Sequence, residues 1–314
     1  MIADDYPVVM AASAAYRRLT ETTPVTHFDT LPGTEDGLIE RIRDFEIVVN
    51  IRSSTKFTAT VFDACPRLKL LSLWGTGTDN VDLAATARHG VTVTNTPGVA
   101  AVAIAEHALM LTLAVARRVV TLHNSVVAGE WPRGQAVQLQ GKTLGVIGLG
   151  AIGRQFARLA QGIGMRVIAW TMHPDPALNF ELVDLDTLLR TSDIISVHLR
   201  LSNDTLGFLA RPQFEMMKPG VILVNTARGP IVEQPALLEA LSTGRIAGAG
   251  LDVFDVEPLP AGHPLAKAPN VVLTPHCAGI TPEVLEAGLA LAIANIGSFL
   301  SGNPRNVVQP SAIP

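Results

Sequence analysis

Cysteine is scarce in this 314-residue sequence: only Cys65 and Cys277 occur, far apart and without the spacing of metal ligands. They predict free thiols in a reducing cytoplasm rather than a disulfide framework, and they supply no metal centre. The sequence also lacks a run of about 18 uninterrupted apolar residues, the length that a membrane-spanning helix requires. Residues 1–16 carry Asp4 and Asp5 but no basic leader, unlike a secretion signal. We therefore expect neither membrane insertion nor export.

Clusters of basic residues are missing as well. The 24 Lys and Arg residues are outnumbered by 28 Asp and Glu, and the net charge of −4 argues against nucleic acid as a partner. Apolar residues, by contrast, make up 48% of the chain, which is enough for buried parallel strands. The length suits two domains rather than one.

Three glycines with the spacing G-x-G-x-x-G follow a short apolar run at 144–147, and a helical pattern continues to residue 163. In this strand–turn–helix context, such glycines bind a dinucleotide. The first permits a tight turn, the second lets backbone N–H groups approach a pyrophosphate, and the third lets helix pack on strand. The helix N-terminus adds partial positive charge. The residues predicted to contact NAD or NADP here are Gly148, Gly150, Ala151, Ile152, Gly153 and Arg154.

Short apolar runs alternate with helical patterns along the whole chain. Before the glycine motif, the predicted strands are 7–10, 45–51, 68–74 and 91–94. Beyond it, they are 164–170, 193–197, 220–225, 246–252 and 270–273, and a last helix is predicted over 281–301. The alternation predicts an α/β fold with two doubly wound parallel-sheet domains. Ligands of such sheets bind at the carboxyl ends of the strands.

Residues 100–127 are predicted to form one helix, rich in alanine and without internal proline or glycine. Its apolar content exceeds a single amphipathic face, so it must be covered on several sides. An interior position and a subunit interface both account for this pattern.

A nicotinamide cofactor suggests hydride transfer at a carbonyl carbon, and three residues at predicted strand ends suit that chemistry. His276 is of the usual acid/base type, and Arg228 is of the type that binds a carboxylate through two parallel hydrogen bonds. Glu257 is a carboxylate that can fix the tautomer of a histidine. Each alone also fits a structural histidine, a helix cap or a solvated loop charge. Together at one crevice they favour catalysis.

These segments resemble the D-isomer-specific 2-hydroxyacid dehydrogenase family over roughly residues 45–300. The motifs that carry the resemblance are 75–82, 95–98, 105–107, 148–153, 225–229, 250–258 and 274–276. The resemblance implies a Rossmann cofactor domain, residues 99–282, inserted into a flavodoxin-like substrate domain of residues 1–98 and 283–314. It also implies a homodimer built on the 100–127 helix, which favours the interface interpretation of that helix.

The resemblance further implies roles for individual residues. Arg228 would bind the substrate's carboxylate and carbonyl, His276 would be the acid/base, and Glu257 would pair with His276. The additional cofactor contacts that it implies are Thr171, His198, Thr205, Thr226, Ala227, Asp252 and Gly279, with Asp252 and the 226–228 backbone at the nicotinamide end.

On the substrate side, the resemblance implies that the backbone N–H groups of Thr76 and Gly77 hold the substrate carboxylate. The identity of the substrate depends on side chains of the first domain, with Arg52, Ser53 and Trp74 as candidates. Arg52 either holds a second anionic group, such as a phosphate, or is a surface charge.

Two positions depart from the family pattern. Thr171 stands where the second Rossmann strand usually ends in an acid that binds the ribose hydroxyls and repels a 2′-phosphate. Arg200 stands where the family commonly has proline beside the adenosine. One hypothesis is that NADP is tolerated, with His173 or Arg200 near the 2′-phosphate. The alternative is that Thr171 binds NAD with less discrimination and that Arg200 is solvated.

The predicted function is NAD(P)-dependent reduction of a small 2-keto acid of the glyoxylate or hydroxypyruvate type. Glu257 argues against the family's formate dehydrogenases, which carry an amide there because formate has no alkoxide to protonate. Phosphite oxidation uses the same Arg, Glu and His set and stays open. A cofactor-sensing interaction protein, like the C-terminal-binding corepressors of this fold, is the alternative from another class, but the chain has neither long disordered tails nor an obvious basic face.

Overall fold

The computed structural model describes residues 1–175 and 177–308, and the chain divides into two compact units. The first unit consists of Met1–Ala100 together with the chain from Ile280 onward, and the second of Ala101–Gly279. The sequence placed these divisions at 98/99 and 282/283. Residues 309–314 of the predicted substrate domain lie outside the described residues.

Ten strands and eleven α-helices form within the described residues. In chain order, the strands are β1 (Ile47–Asn50), β2 (Leu70–Leu73), β3 (Thr92–Thr94), β4 (Thr143–Ile147), β5 (Arg166–Trp170), β6 (Glu181–Leu182), β7 (Ile194–Val197), β8 (Val221–Asn225), β9 (Ile246–Leu251) and β10 (Val271–Leu273). The α-helices are α1 (Ala14–Thr22), α2 (Glu35–Ile42), α3 (Ala59–Ala64), α4 (Leu83–Arg88), α5 (Ala101–Ala116), α6 (Val119–Val127), α7 (Ala151–Gly162), α8 (Leu185–Thr191), α9 (Arg211–Met216), α10 (Gln234–Ser242) and α11 (Pro282–Leu300).

The first unit contains a parallel sheet in the order β1-β2-β3. Ile2 extends this sheet through single parallel bridges to Val49 of β1 and to His27. The order across the unit is therefore His27, Ile2, β1, β2 and β3. Counted along the chain, Ile2 is the first of these five positions and His27 is the second. The order is therefore 2-1-3-4-5, as in flavodoxin-like sheets, and the predicted architecture is confirmed.

The second unit contains a seven-stranded parallel sheet in the order β6-β5-β4-β7-β8-β9-β10. In sequence positions this is the Rossmann order 3-2-1-4-5-6 with one further strand at the edge. Strands β7 and β8 are buried along their whole length, as expected when helices cover both faces of a parallel sheet. From β4, the chain adds strands first on one side (β5 and β6) and then on the other (β7 to β10). The boundary between β4 and β7 is therefore a topological switch point, where a ligand-binding crevice forms in such sheets.

The strand predicted over 7–10 does not form. The backbone N–H groups of Val9 and Met10 donate to the buried carboxylate of Asp5, at 2.9 and 3.1 Å, rather than to a neighbouring strand. Ile2 instead occupies the place beside β1. One side-chain acceptor thus diverts an apolar run from the sheet.

The single helix predicted over 100–127 is also wrong, because the helix breaks after Ala116. The carbonyl of Ala116 accepts a hydrogen bond from Val137 N at 2.8 Å, and Arg118 takes a φ of 53° before α6 begins. Helix α5 packs on α7 and on β8 and β9, whereas α6 has no buried residue. One face of α5 is therefore interior, as one of the two interpretations expected.

Helix α11 is 19 residues long and is apolar enough to cross a membrane by length and composition alone. Part of the helix is buried within the first unit, where it contacts α1 and β2. Gly288 lies against the indole of Trp74, and Ala292 O accepts a hydrogen bond from the Ser72 hydroxyl at 3.2 Å.

Candidate active site

The glycine motif folds as a strand, a turn and a helix. Gly148 follows β4 with a φ of 100°, and its N–H donates to Trp170 O at 2.8 Å. A Cβ on Gly148 would lie 2.8 Å from the carbonyl oxygen of His198, and one on Gly153 would lie 2.0 Å from that of Gly148. Packing within the protein therefore requires both glycines. A Cβ on Gly150, by contrast, would meet no described atom within 4 Å.

The N-terminus of α7 faces this open space. Gly150 precedes the helix, and no side chain caps its first turn. The N–H groups of Ala151, Ile152 and Gly153 are therefore left for an anion at the positive end of the helix. Arg154 is half-buried in the same turn. The open space and the uncapped helix fit the pyrophosphate of a dinucleotide.

Two buried polar atoms near the ends of the central strands have no hydrogen-bond partner among the described residues: His198 Nδ1 after β7, and Thr226 Oγ1 after β8. Burial lowers the pKa of His198 to about 3, so its imidazole is neutral, and its Nε2 shares a hydrogen bond with Ser196 Oγ at 2.9 Å. Buried polar atoms are normally paired. Both atoms can therefore hydrogen-bond to a polar ligand along this edge, such as a dinucleotide.

The loop after β8 carries Arg228, and Asn225 shapes it. The Asn225 amide donates to Arg228 O at 2.9 Å, and its oxygen accepts from Ala227 N at 3.0 Å. Gly229 lies against the backbone of Phe254, where a Cβ would stand 2.0 Å from the carbonyl carbon. Any side chain at 229 would force the loop after β8 away from the loop after β9.

His276 and Glu257 form a direct pair, with Nδ1 of the imidazole 2.7 Å from Oε2 of the carboxylate. Oε1 of Glu257 accepts a hydrogen bond from Phe254 N at 3.0 Å, which fixes the carboxylate. Each side chain of the pair is 34% exposed, so a ligand can reach it. Because Nδ1 is bound to the carboxylate, Nε2 is the nitrogen that can exchange a proton with a ligand.

Charge around Glu257 keeps it ionised. Burial raises the pKa of Glu257, but the hydrogen bonds from His276 and Phe254 and the positive charge of Arg228 outweigh burial and hold that pKa below its usual value. Arg228 is half-buried, and its guanidinium also donates to Ala227 O at 2.8 Å. The structure thus brings together the three residues predicted to carry the chemistry.

The carboxylate of Asp252 is committed to the loop that carries His276. Its Oδ1 accepts hydrogen bonds from Thr274 Oγ1 at 2.6 Å and Cys277 N at 3.0 Å, and its Oδ2 accepts one from Ala278 N at 2.9 Å. The Asp252 carbonyl accepts from His276 N at 2.8 Å. His276 has a φ of 50°, a left-handed conformation that costs a non-glycine residue about 1–3 kcal/mol. Asp252 therefore stabilises a strained loop.

Sequence reasoning did not assign Thr274 or His107 to this arrangement. His107, on α5, has its Nε2 2.9 Å from Thr274 Oγ1 and 3.5 Å from Asp252 Oδ1. Both residues lie in motifs that carry the family resemblance, which was the available signal. Their contact depends on how α5 packs on the sheet, and the motifs do not encode that packing.

His107, Asp252 and Cys277 offer ligand-type atoms that all lie within 4.8 Å of one another. Both carboxylate oxygens of Asp252 already accept hydrogen bonds. Burial and the neighbouring Asp252 raise the pKa of the Cys277 thiol, which keeps it protonated. We therefore assign these residues to hydrogen bonding rather than to a metal ion.

The other predicted cofactor residues differ in what they have to offer a ligand. Thr171 directly follows β5 and is half-buried, and Gly279 is half-buried in the turn after Ala278. The buried hydroxyl of Thr205 donates to Arg200 O at 2.7 Å, so it shapes its own loop and has no proton left for a ligand.

The predicted substrate residues lie in two loops of the first unit, after β1 and after β2. The Arg52 guanidinium donates to Pro7 O, and its buried Nε has no partner among the described atoms. Ser53 and Thr76 are exposed, and Gly77 is half-buried. These loops are at the carboxyl edge of the first sheet, where such sheets bind ligands.

Comparisons with known proteins identify relatives of this chain. Residues 109–278 match the family model described as D-isomer specific 2-hydroxyacid dehydrogenase, NAD binding domain. The chain is 41% identical over 292 residues to a D-3-phosphoglycerate dehydrogenase of Archaeoglobus fulgidus, a match that covers 89% of this chain but 54% of that relative. It is 37% identical to a glyoxylate reductase of Korarchaeum cryptofilum, over 91% of this chain and 89% of the relative. A solved structure of an acyclic imino acid reductase in complex with NADPH and D-Arg superposes with a TM-score of 0.89 at 30% identity, over 98% of this chain and 99% of that chain.

Proposed function

Because the chain belongs to the D-isomer-specific 2-hydroxyacid dehydrogenase family, we propose that it reduces a small 2-keto acid to the D-2-hydroxy acid with NADH or NADPH. Membership itself makes it an oxidoreductase of CH–OH donors whose Rossmann domain binds NAD(P). The observation that supports the finer proposal is the 2.7 Å pair of His276 and Glu257, which shares its crevice with Arg228.

In this proposal, the bound reduced nicotinamide supplies the hydride that forms the new C–H bond at the carbonyl carbon. His276 donates Nδ1–H to Glu257 and presents its protonated Nε2 to the carbonyl oxygen. As the C=O π bond is lost, Nε2 transfers its proton to that oxygen, so the hydroxyl forms and His276 becomes neutral. The ionised Glu257 stabilises the imidazolium before the transfer and fixes its orientation. In the oxidative direction, Nε2 accepts the hydroxyl proton.

Arg228 is proposed to hold the carboxylate and the carbonyl oxygen of the substrate. A guanidinium is always charged, and its planar fork matches a carboxylate. A positive charge beside the carbonyl also stabilises the negative charge that develops on oxygen in the transition state. The half-buried setting of Arg228 strengthens both effects.

In the first unit, we assign the backbone N–H groups of Thr76 and Gly77 to the substrate carboxylate. Arg52 and Ser53 are assigned to the remainder of the substrate. The buried Nε of Arg52 supports this assignment, because an unpaired buried donor costs free energy unless a ligand satisfies it.

The cofactor residues are proposed on the same grounds. The glycine loop with Ala151, Ile152 and Arg154 would hold the pyrophosphate, and Thr226 and His198 would offer their unpaired atoms to the remainder of the dinucleotide. Thr171 leaves no carboxylate at the end of β5 to repel a 2′-phosphate, so NADPH is tolerated beside NADH. The NADPH complex of the similar imino acid reductase supports this inference.

We propose that two copies of the chain associate through one apolar surface. This α5–α6 surface consists of exposed side chains of the two helices and of the segment after them: Val102, Met110, Leu113, Val119, Val120, Val126, Val127 and Trp131. Val127 and Trp131 are 75% and 76% exposed. Large contiguous apolar patches on a protein mark interaction sites. Both cysteines are free thiols, which supports placing this assembly in the reducing cytoplasm.

The test is nicotinamide oxidation by the purified chain with glyoxylate, hydroxypyruvate, pyruvate and phosphohydroxypyruvate, each with NADH and with NADPH. We expect turnover with at least one pair, and we expect the His276→Ala variant to bind cofactor but to turn over about 10²–10⁴ times more slowly. Tight cofactor binding with no turnover on the whole panel would contradict the reductase proposal and favour a cofactor-sensing protein. Phosphite is included as a substrate of the oxidative reaction.

A further inference from the structure

His107 and Thr274 are linked to the candidate acid/base through a chain of hydrogen bonds that ends at Asp252. We propose that His107 and Thr274 are positioning residues for His276, acting through the Asp252 carboxylate that holds the backbone of residues 276–278. The inference rests on the proposed role of His276 as the acid/base.

Each hydrogen bond in this chain has only one possible direction. A carboxylate oxygen can only accept, so the single proton of the Thr274 hydroxyl is donated to Asp252 Oδ1, at 2.6 Å. The Thr274 oxygen must then accept from His107 Nε2, at 2.9 Å. His107 is therefore protonated on Nε2, and the donors run from His107 through Thr274 to Asp252.

The carboxylate at the end of this chain determines the position of His276. Asp252 is 1% exposed, and it accepts from the N–H groups of both Cys277 and Ala278. Together with the 2.8 Å bond from His276 N to the Asp252 carbonyl, these bonds hold the left-handed conformation of His276. Such a conformation persists only where the surroundings over-determine it. Orientation of the Asp252 carboxylate therefore controls the aim of the imidazole at Glu257.

Loss of the Thr274 hydroxyl gives the carboxylate an alternative partner. Asp252 Oδ1 already lies 3.5 Å from His107 Nε2. Without the intervening hydroxyl, the carboxylate can rotate toward His107, and the bonds to Cys277 and Ala278 then lengthen. A displacement of a catalytic group by about 1 Å lowers rates by as much as about 100-fold.

The experiment compares a deleting and a conserving substitution at each position. Thr274→Val keeps the shape of the side chain but removes the hydroxyl, and Thr274→Ser restores the hydroxyl. His107→Leu removes the donor, and His107→Gln supplies an amide donor. Thr112→Val is the matched control, because Thr112 is a buried threonine of α5 whose hydroxyl donates only to Ala108 O.

With the keto acid that the wild-type protein turns over, we expect kcat to fall roughly 10- to 100-fold in Thr274→Val and in His107→Leu. The dissociation constant of NADH should stay within about threefold, and Thr274→Ser and His107→Gln should recover most of kcat. The double variant His107→Leu/Thr274→Val should lose no more than the stronger single variant, because both act through one carboxylate. Thr112→Val should match the wild type.

Values of kcat for Thr274→Val and His107→Leu within twofold of wild type would overturn the inference while leaving the proposed function intact. A His276→Ala variant that turns over as fast as wild type would instead overturn the proposed function. A crystal structure of Thr274→Val is the readout that does not depend on turnover. We expect residue 276 to leave its φ of 50° or the 2.7 Å contact to lengthen, and an unchanged loop would refute the positioning role.

Discussion

His276 Nδ1 lies 2.7 Å from Glu257 Oε2, although the two residues are 19 positions apart and belong to different loops. The other oxygen of Glu257 is held by the backbone N–H of Phe254. The carboxylate is therefore aimed by its own loop before any ligand binds. This contact leaves Nε2 as the imidazole nitrogen that faces a ligand. It also places the negative charge of Glu257 beside Nδ1, on the opposite side of the ring.

Removing the His276 imidazole or the negative charge of Glu257 should lower turnover, but to different extents. We expect His276→Ala to reduce kcat by about 10²–10⁴, the usual contribution of a positioned acid/base, and Glu257→Gln to reduce it less. His89→Ala is the matched control, since His89 forms a 2.8 Å pair with Asp63 in the first unit. The measurement is steady-state kinetics with the best keto acid. A Glu257→Gln variant as active as wild type would refute the role of the charge.

We expect alanine substitutions at two glycines of α7 to have different effects on cofactor binding. Gly153→Ala places a Cβ 2.0 Å from the Gly148 carbonyl oxygen, so the loop must move, and NADH should bind at least tenfold more weakly. Gly162→Ala meets no described atom within 4 Å and should leave affinity unchanged, with a gain of up to about 1 kcal/mol in helix stability. Fluorescence titration with NADH compares the two, and equal affinities would contradict this packing role for Gly153.

The pH dependence of stability should report on His198. Burial lowers the pKa of His198 from 6.5 to about 3, so the unfolded chain binds a proton that the folded chain excludes. The stability from this group is present above pH 6.5 and is lost as the pH falls from 6.5 toward 3. Between pH 7 and pH 5, wild type should lose about 2 kcal/mol more free energy of unfolding than His198→Gln. Urea unfolding of the apoprotein at both pH values measures this, with the exposed His173→Gln as control, and parallel losses would contradict the prediction.

Cofactor choice should respond to the charge at position 171. Thr171→Asp restores an acid at the end of β5, which should repel a 2′-phosphate and lower kcat/KM for NADPH relative to NADH by at least about tenfold. Thr171→Asn is nearly isosteric and neutral, so it should leave the ratio close to that of wild type. A wild-type preference of a hundredfold for NADH would refute tolerance of NADPH from the outset.

The α5–α6 surface should determine the oligomeric state. Trp131→Glu and Val127→Glu place a charge on side chains that are 76% and 75% exposed, and each should convert a dimer into a 33.3 kDa monomer. Leu300→Glu is the control, because Leu300 is 69% exposed and lies on α11. Sedimentation velocity distinguishes the masses. A wild-type protein that sediments as a monomer would contradict the proposal directly.

Local patterns were sufficient to predict the two parallel sheets and the glycine turn, because a buried parallel strand is a short apolar run and a phosphate turn requires glycine. They failed where a hydrogen bond outside the regular pattern of a strand or helix changes the backbone. Asp5 diverts the run at 7–10, and Val137 takes the carbonyl of Ala116 and ends α5 early. The link between His107 and Thr274 was beyond reach for a related reason. Its residues are 167 positions apart, and only the packing of a helix on a sheet brings them together.

The insertion of one unit into the other has a consequence for the order in which the protein acquires its structure on the ribosome. The second unit is one continuous segment, Ala101–Gly279, so it can complete its core soon after it is synthesised. The first unit cannot complete its core until α11 has been synthesised. Ser72 finds its partner Ala292 at a separation of 220 residues, and the carbonyl of Asn95 receives the amide of Asn295 across 200. Contacts at such separations form slowly. The nascent β1–β3 sheet therefore remains incompletely covered while the Rossmann unit is already folded, and it is the part of the newborn chain that most needs protection from aggregation.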